Sequence, residues 1–148
     1  MGEGIILGNK ILDVVFVALF VAQALKVVIS FFTEKTLNFR YFLNPGNMPS
    51  SHTSSVTALA TSIAILEGIN SSMFAFALVF TVVVMYDAAG VRRAAGKQAE
   101  VLNKIVNNIK KKEGHVIIEQ NLRELVGHTP LEVFAGAILG VIIAFLMC

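Results

Sequence analysis

Two histidines lie in short polar segments that each come directly before an apolar run. His52 follows Ser50 and Ser51, and His128 has the carboxylate of Glu132 four residues later. A carboxylate at that spacing can hold one imidazole nitrogen and raise the basicity of the other, which suits a nucleophilic or general-base histidine. The serines also have a simpler interpretation as the cap of a helix, with His52 at a membrane interface.

The segment around His128 has a second interpretation as a helix start. Thr129 is followed three residues later by Glu132, with Pro130 between them. This pattern is typical of a capping box with proline at the first helical position. It would give Glu132 a purely structural role, so the sequence leaves both roles open.

Cationic side chains supply a second kind of chemistry. Arg92 and Arg93 follow Asp87 by five and six residues at the end of an apolar run. Guanidinium groups bind phosphate through paired hydrogen bonds, although arginines at a membrane edge are also common topology anchors. The partner of Asp87 stays open between an arginine, a substrate hydroxyl and a metal ion.

Lys26 is an ionisable residue inside an apolar run, with Gln23 three residues before it. Such residues are costly in a membrane, so they are candidates for function, although a lysine near a helix end can also extend to the interface. Arg40, in the loop that follows, completes the cationic candidates, and the role of Arg123, before the second histidine, stays open.

The composition predicts a membrane protein. Apolar residues make up 55% of the 148 residues and charged residues only 15%, and the mean hydropathy is +0.73. Soluble domains carry about 25% charged residues. The net charge is only +2, and no basic patch is large enough to suggest binding to nucleic acid. The single Cys148 excludes an intrachain disulfide and a cysteine-based metal site.

Four apolar runs can be read as membrane spans, at about residues 11–32, 54–69, 73–91 and 130–147. A span needs about 20 mostly apolar residues. The sequence therefore predicts an all-α integral membrane bundle, with about four transmembrane helices in a single domain of residues 1–148. Lysines and arginines are concentrated in the loop at about 92–129, which places the loops and the polar clusters on the cytoplasmic side.

Apolar residues recur at helical spacing between Lys97 and Gly114, beside several lysines. The pattern predicts a basic amphipathic helix in the cytoplasmic loop. Such a helix can lie on the inner leaflet, or it can be an ordinary packed helix with a solvated charged end. The sequence does not decide between them.

Three motifs together resemble a known family. They are Gly46-Asn47-Met48-Pro49-Ser50-Ser51-His52, Asp87-Ala88-Ala89-Gly90-Val91-Arg92-Arg93 and Gly127-His128-Thr129-Pro130-Leu131-Glu132. This combination resembles the divergent branch of the type 2 phosphatidic acid phosphatase superfamily, whose members are often labelled acid phosphatase/vanadium-dependent haloperoxidase-related. The resemblance extends from about Gln23 to Gly140.

The resemblance implies metal-independent phosphoester hydrolysis through a phosphohistidine. By position, His128 would be the nucleophile, Glu132 its orienting carboxylate and His52 the general acid. Ser50 and Ser51, with nearby backbone amides, would hold the phosphoryl oxygens. We infer that the phosphate-binding work is shared among the cationic candidates, Lys26, Arg40, Arg92 and Arg93.

The chain departs from the superfamily pattern at several positions. Ser51 replaces a glycine before the first histidine, and Glu132 replaces an aspartate. Leu122 stands where the superfamily usually has an arginine six residues before the nucleophile, and Arg123 lies one position away. The opening Lys…Arg-Pro motif has no clean match, because Tyr41 follows Arg40.

The predicted function is hydrolysis of a phosphomonoester of a phospholipid precursor, with phosphatidylglycerol phosphate or phosphatidic acid as candidate substrates. No cofactor or metal is expected. The expected partners are the lipid substrate and the membrane, not nucleic acid, and a homo-oligomer stays open. The predicted location is the inner (plasma) membrane, multi-pass, with the site facing the cytoplasm. A non-catalytic carrier or scaffold is the main alternative, and a vanadate-dependent haloperoxidase is a more distant one.

Overall fold

Five α-helices make up the described part of this computed structural model, which comprises residues 4–34, 48–113, 122 and 127–148. They are α1 (Lys10–Glu34), α2 (Ser51–Glu67), α3 (Ser72–Tyr86), α4 (Arg92–Glu113) and α5 (Pro130–Met147). A π-helical turn, Asp87–Val91, connects α3 to α4 without a break in the helix. The predicted class, an all-α membrane bundle, is confirmed.

Three described helical stretches are long and apolar enough to cross a membrane: Lys10–Phe32, Ser72–Ile109 and Pro130–Met147. The remaining predicted crossing corresponds to α2, which has 17 residues. That length is at the lower end of what can cross a bilayer. Helix α2 is also the most polar of the four predicted spans, and its central position in the bundle explains how a membrane helix can carry so many polar residues.

Helix α2 lies at the centre of the bundle, where it packs against α1, α3 and α5. Its buried hydroxyls bond largely to carbonyls one turn back in the same helix, as in Thr57 Oγ1 to Thr53 O at 2.8 Å and Ser62 Oγ to Ala58 O at 2.7 Å. These hydroxyls have hydrogen-bond partners inside the protein, and three more apolar helices pack around α2. A relatively polar helix can therefore lie in the membrane.

Small residues bring α2 and α5 into close contact. A Cβ atom added to Gly136 would lie 2.5 Å from the carbonyl oxygen of Ser50, and one added to Gly140 would collide with Ser54 and Thr57. Gly136 and Gly140 form a G-x-x-x-G pattern, which lets membrane helices approach through their backbones. Further along, Ala58 packs with residues of α1 and α5 in the apolar core: Val14, Ala18, Ile143 and Ala144.

Caps set the starts of the helices that carry the two motifs. Ser50 caps α2, its Oγ accepting hydrogen bonds from Thr53 N at 3.4 Å and Thr53 Oγ1 at 3.0 Å. Thr129 caps α5, and Glu132 completes the predicted capping box, which is confirmed. The first residues of α2 and α5 are therefore fixed in orientation.

Helix α4 begins at Arg92, before the Lys97 expected from the sequence, because the π-helical turn continues α3 into it. Its packed side is narrow and carries Ala99 and Asn103, both buried. Its apolar stripe is exposed: Val101, Leu102, Ile105 and Ile109. Most of the stripe is therefore not covered by the bundle, and placement on the inner leaflet stays a prediction.

Candidate active site

His128 is buried, with 3% of its surface exposed, just before α5. Its backbone N–H donates to the carbonyl of Ala88 in the π-helical turn at 3.0 Å. Its ring Nδ1 lies 3.0 Å from Oε2 of Glu132. An ionised carboxylate only accepts hydrogen bonds, so this contact places the proton on Nδ1 and leaves the lone pair on Nε2.

Glu132 fulfils both roles that the sequence left open. Its Oε2 faces the His128 ring and also accepts the backbone N–H of Thr129 at 3.1 Å. Its backbone carbonyl accepts the N–H of Ser50 at 3.1 Å. One residue therefore caps α5, orients the imidazole and connects the start of α5 to the residue that caps α2.

A pocket of about 260 Å³ brings the two histidine motifs together. His52, His128, Asp87 and Arg92 supply its polar groups. Its apolar wall comes from Val83 and Val84 of α3 and Ala88 of the π-helical turn. Three segments that are far apart in the sequence therefore meet at one pocket, with His128 buried and His52 exposed.

The structure separates the cationic candidates. Arg92 lines the pocket, and its Nε lies 2.5 Å from Oδ2 of Asp87. Arg93 is exposed, and its backbone lies so close to Gly127 that a Cβ atom there would collide with it. The two positions that the sequence treated alike therefore differ, and Asp87 has an arginine as its partner.

Lys26 is buried in α1, with 1% of its surface exposed. Its charge acts on Glu132, His52 and His128, which places it within electrostatic range of the site. Gln23, one turn earlier, has a buried Oε1 without a hydrogen-bond partner among the described residues. Lys26 therefore belongs to the surroundings of the pocket, although it is not among the described residues that line it.

Ser50 and Ser51 are buried at the start of α2 and are not among the described residues of the pocket wall. Because the Ser50 hydroxyl is used in the cap, its predicted contact with phosphoryl oxygens stays a prediction. Arg40 and Arg123 lie outside the described residues.

Leu122, where the superfamily usually has an arginine, is described through its backbone. Asn103 of α4 donates to Leu122 O at 2.9 Å and accepts from Leu122 N at 3.0 Å. These two hydrogen bonds hold the backbone of Leu122 against α4, at the position where the chain departs from the superfamily pattern.

Comparison with known proteins identifies the family of the chain. The sequence model of the Divergent PAP2 family matches residues 7–143. The chain belongs to this family. It is 39% identical over 139 residues to the "Uncharacterized membrane protein YuiD" of Bacillus subtilis (strain 168), with 88% of each chain covered. No solved structure matches the chain. The protein is therefore a membrane protein of a phosphatase-like family.

In this member of the Divergent PAP2 family, sequence reasoning missed two valines of the apolar pocket wall and the close glycine contact between α2 and α5. Val83 and Val84 have the ordinary composition of a membrane helix, so nothing in the sequence distinguished them, whereas Ala88 lies inside the second quoted motif. Gly136 and Gly140 did carry a signal, because G-x-x-x-G in an apolar helix indicates close helix packing.

The surroundings of His128 lower its pKa. Burial has the largest effect, and the positive charges of Lys26 and Arg92 act in the same direction. The hydrogen bond and the charge of Glu132 oppose them and raise the pKa. The net shift keeps the imidazole neutral at pH values where an exposed histidine is already protonated.

We expect Glu132→Gln to lower the pKa of His128 further, because it removes the one group that favours the imidazolium. NMR titration of the histidine ring signals, assigned with a His128→Asn variant, measures the shift. An unchanged or raised pKa in Glu132→Gln would contradict the assigned contact. The lowered pKa also predicts that wild-type His128 stays neutral, and able to attack, as the pH falls through the range in which an ordinary histidine becomes protonated.

Proposed function

We propose that this protein is a lipid phosphatase that hydrolyses a phosphomonoester of a phospholipid precursor through a phosphohistidine. The single observation that carries the proposal is the pocket in which His52 and His128 meet, with Glu132 on Nδ1 of His128. Family membership supports the reaction class. The apolar wall formed by Val83 and Val84 of a membrane helix supports a lipid substrate.

In the first step, Nε2 of His128 attacks the phosphorus atom and the bond from phosphorus to the lipid oxygen breaks. The leaving alkoxide takes a proton from His52, so the lipid alcohol leaves neutral. Glu132 accepts the Nδ1–H hydrogen bond and stabilises the positive charge that develops on the ring.

In the second step, water attacks the phosphohistidine and His52 accepts its proton. The bond from phosphorus to Nε2 breaks, which releases inorganic phosphate and restores both histidines. Arg92 at the pocket and Lys26, buried in α1, stabilise the charge on the phosphoryl oxygens, the largest catalytic requirement of this reaction.

The charges of the chain support one orientation in the membrane. The polar ends of the helices that form the pocket are on the side where lysines and arginines are concentrated. The positive-inside rule supports the cytoplasmic face for this side, and the proposed location is the inner (plasma) membrane. The proposed substrate is therefore a lipid phosphate in the inner leaflet, such as phosphatidic acid or phosphatidylglycerol phosphate.

The test is phosphate release by the detergent-purified chain from short-chain forms of both lipids, with and without a chelator. For His52→Asn we expect a loss of about 10²–10⁴-fold in kcat/KM, which reports the first step, on these alkoxide esters, the usual contribution of a general acid. The loss should be much smaller on p-nitrophenyl phosphate, whose leaving group departs without a proton. Equal losses on both substrates would remove His52 from the acid role, and no phosphate release from any lipid would overturn the proposal.

A further inference from the structure

We propose that Asp87 is a positioning residue that holds Arg92 at the pocket and weakens the binding of the phosphate product. The proposal rests on the proposed function, because it assigns Arg92 to the phosphate. Asp87 would act as a permanent counterion of Arg92, a carboxylate that stays at the site while substrate enters and phosphate leaves.

The π-helical turn creates the pair. Asp87 and Arg92 are five residues apart, whereas side chains that meet on an α-helix are three or four apart. The N–H of Arg92 donates to the carbonyl of Asp87, the five-residue hydrogen bond of a π-helix. The wider turn brings the two side chains together, and Arg92 Nε lies 2.5 Å from Asp87 Oδ2.

The atoms involved leave room for a phosphate. A guanidinium group has five N–H donors, and Asp87 engages the one on Nε. The terminal amino groups of Arg92 can then donate to phosphoryl oxygens while the carboxylate fixes the orientation of the guanidinium. Both side chains line the pocket with His128, so the fixed orientation is at the reaction centre.

The same carboxylate repels a phosphate. A phosphate that binds Arg92 comes close to the negative charge of Asp87, which offsets part of the attraction. Both side chains are partly exposed, at 46% for Arg92 and 37% for Asp87, so solvent reduces the repulsion without removing it. Asp87 therefore favours a well-oriented but loosely bound phosphate, which suits an enzyme that must release one after every turnover.

Binding of inorganic phosphate to the detergent-purified full chain, measured by calorimetry, tests this assignment. Asp87→Asn keeps an acceptor for Nε and removes the charge, so we expect phosphate to bind about fivefold more tightly. Asp87→Glu keeps the charge and should bind like wild type. Equal or weaker binding by Asp87→Asn would overturn the assignment.

Glu100→Gln is the matched control. It makes the same change from carboxylate to amide in another ion pair of this helical stretch, where Glu100 lies 2.6 Å from Lys104 and neither is among the described residues that line the pocket. Its phosphate affinity should equal that of wild type, and equal tightening in both variants would reduce the effect to net charge and overturn the assignment.

Arg92→Lys provides a second test should Asp87→Asn fail to fold. It keeps the charge but loses the fork of donors, so phosphate should bind about tenfold more weakly. Wild-type affinity in Arg92→Lys would overturn the role of Arg92 and with it that of Asp87. Tighter phosphate binding by Asp87→Asn in a chain that hydrolyses no lipid would overturn the proposed function alone.

Discussion

His128→Ala should lower lipid phosphate hydrolysis about 10⁵-fold or more, the largest loss that we expect from any substitution in the chain. The variant removes the proposed nucleophile, so the two-step route through a phosphohistidine is lost. Since Glu132 also caps α5 through Thr129, the helix start should remain intact. The loss should therefore appear in kcat, with the melting temperature changed only slightly.

Trapping of the phosphoenzyme provides the direct measurement. Wild-type protein, mixed with phosphate-labelled short-chain lipid and quenched in alkali, should hold an acid-labile, alkali-stable label that His128→Ala lacks. His52→Asn is the informative comparison on p-nitrophenyl phosphate, which needs no acid for the first step. With this substrate, His52→Asn should accumulate the labelled phosphoenzyme, because no base then takes a proton from the water that attacks the phosphohistidine. Full activity in His128→Ala would exclude this mechanism.

Gly140→Ala should have the largest effect on stability. The added Cβ atom would collide with Thr57 Oγ1 and the carbonyl of Ser54, and would lie 2.9 Å from the backbone nitrogen of Ala58. Two of these three atoms belong to the α2 backbone and cannot rotate away, so α2 and α5 must separate. We expect a loss of about 3 kcal/mol in the free energy of unfolding, the upper part of the usual range for overpacking.

Gly90→Ala is the matched control for this substitution. It also adds one methyl group to a helical glycine, but the nearest atom to the new Cβ is Tyr86 Cε1 at 3.9 Å, an ordinary contact. Reversible unfolding in mixed micelles should show wild-type or slightly higher stability for Gly90→Ala. Equal stability of the two variants would mean that α2 and α5 are not packed as closely as described.

The features that the sequence could predict are those that depend on local spacing. Thr129, Pro130 and Glu132 determine a helix start within four residues, so the capping box and the reach of Glu132 to His128 follow from the pattern alone. The apolar runs likewise predict helices of membrane length. In each case the physical cause acts over one or two helical turns, which a sequence displays directly.

The features that could not be predicted depend on a change of helical period or on packing between distant segments. Arg92 and Arg93 look equivalent in the sequence, and an α-helix would put neither of them beside Asp87. The π-helical turn brings Arg92, and not Arg93, beside Asp87. The backbone of Arg93 lies close to Gly127 instead, and the side chain of Arg93 is exposed. The cap that engages the Ser50 hydroxyl similarly depends on where α2 begins.

The central position of α2 has a consequence for biosynthesis. Helices enter the bilayer in the order in which they are made, and insertion depends on how apolar each one is. α2 is synthesised after one shielding partner, α1, and before the other two, α3 and α5. Its hydroxyls that bond within the helix need no later partner, so they are satisfied as soon as α2 forms. Helix α5 is the last of these partners to be made, so the candidate pocket and the shielding of α2 are completed by the same event.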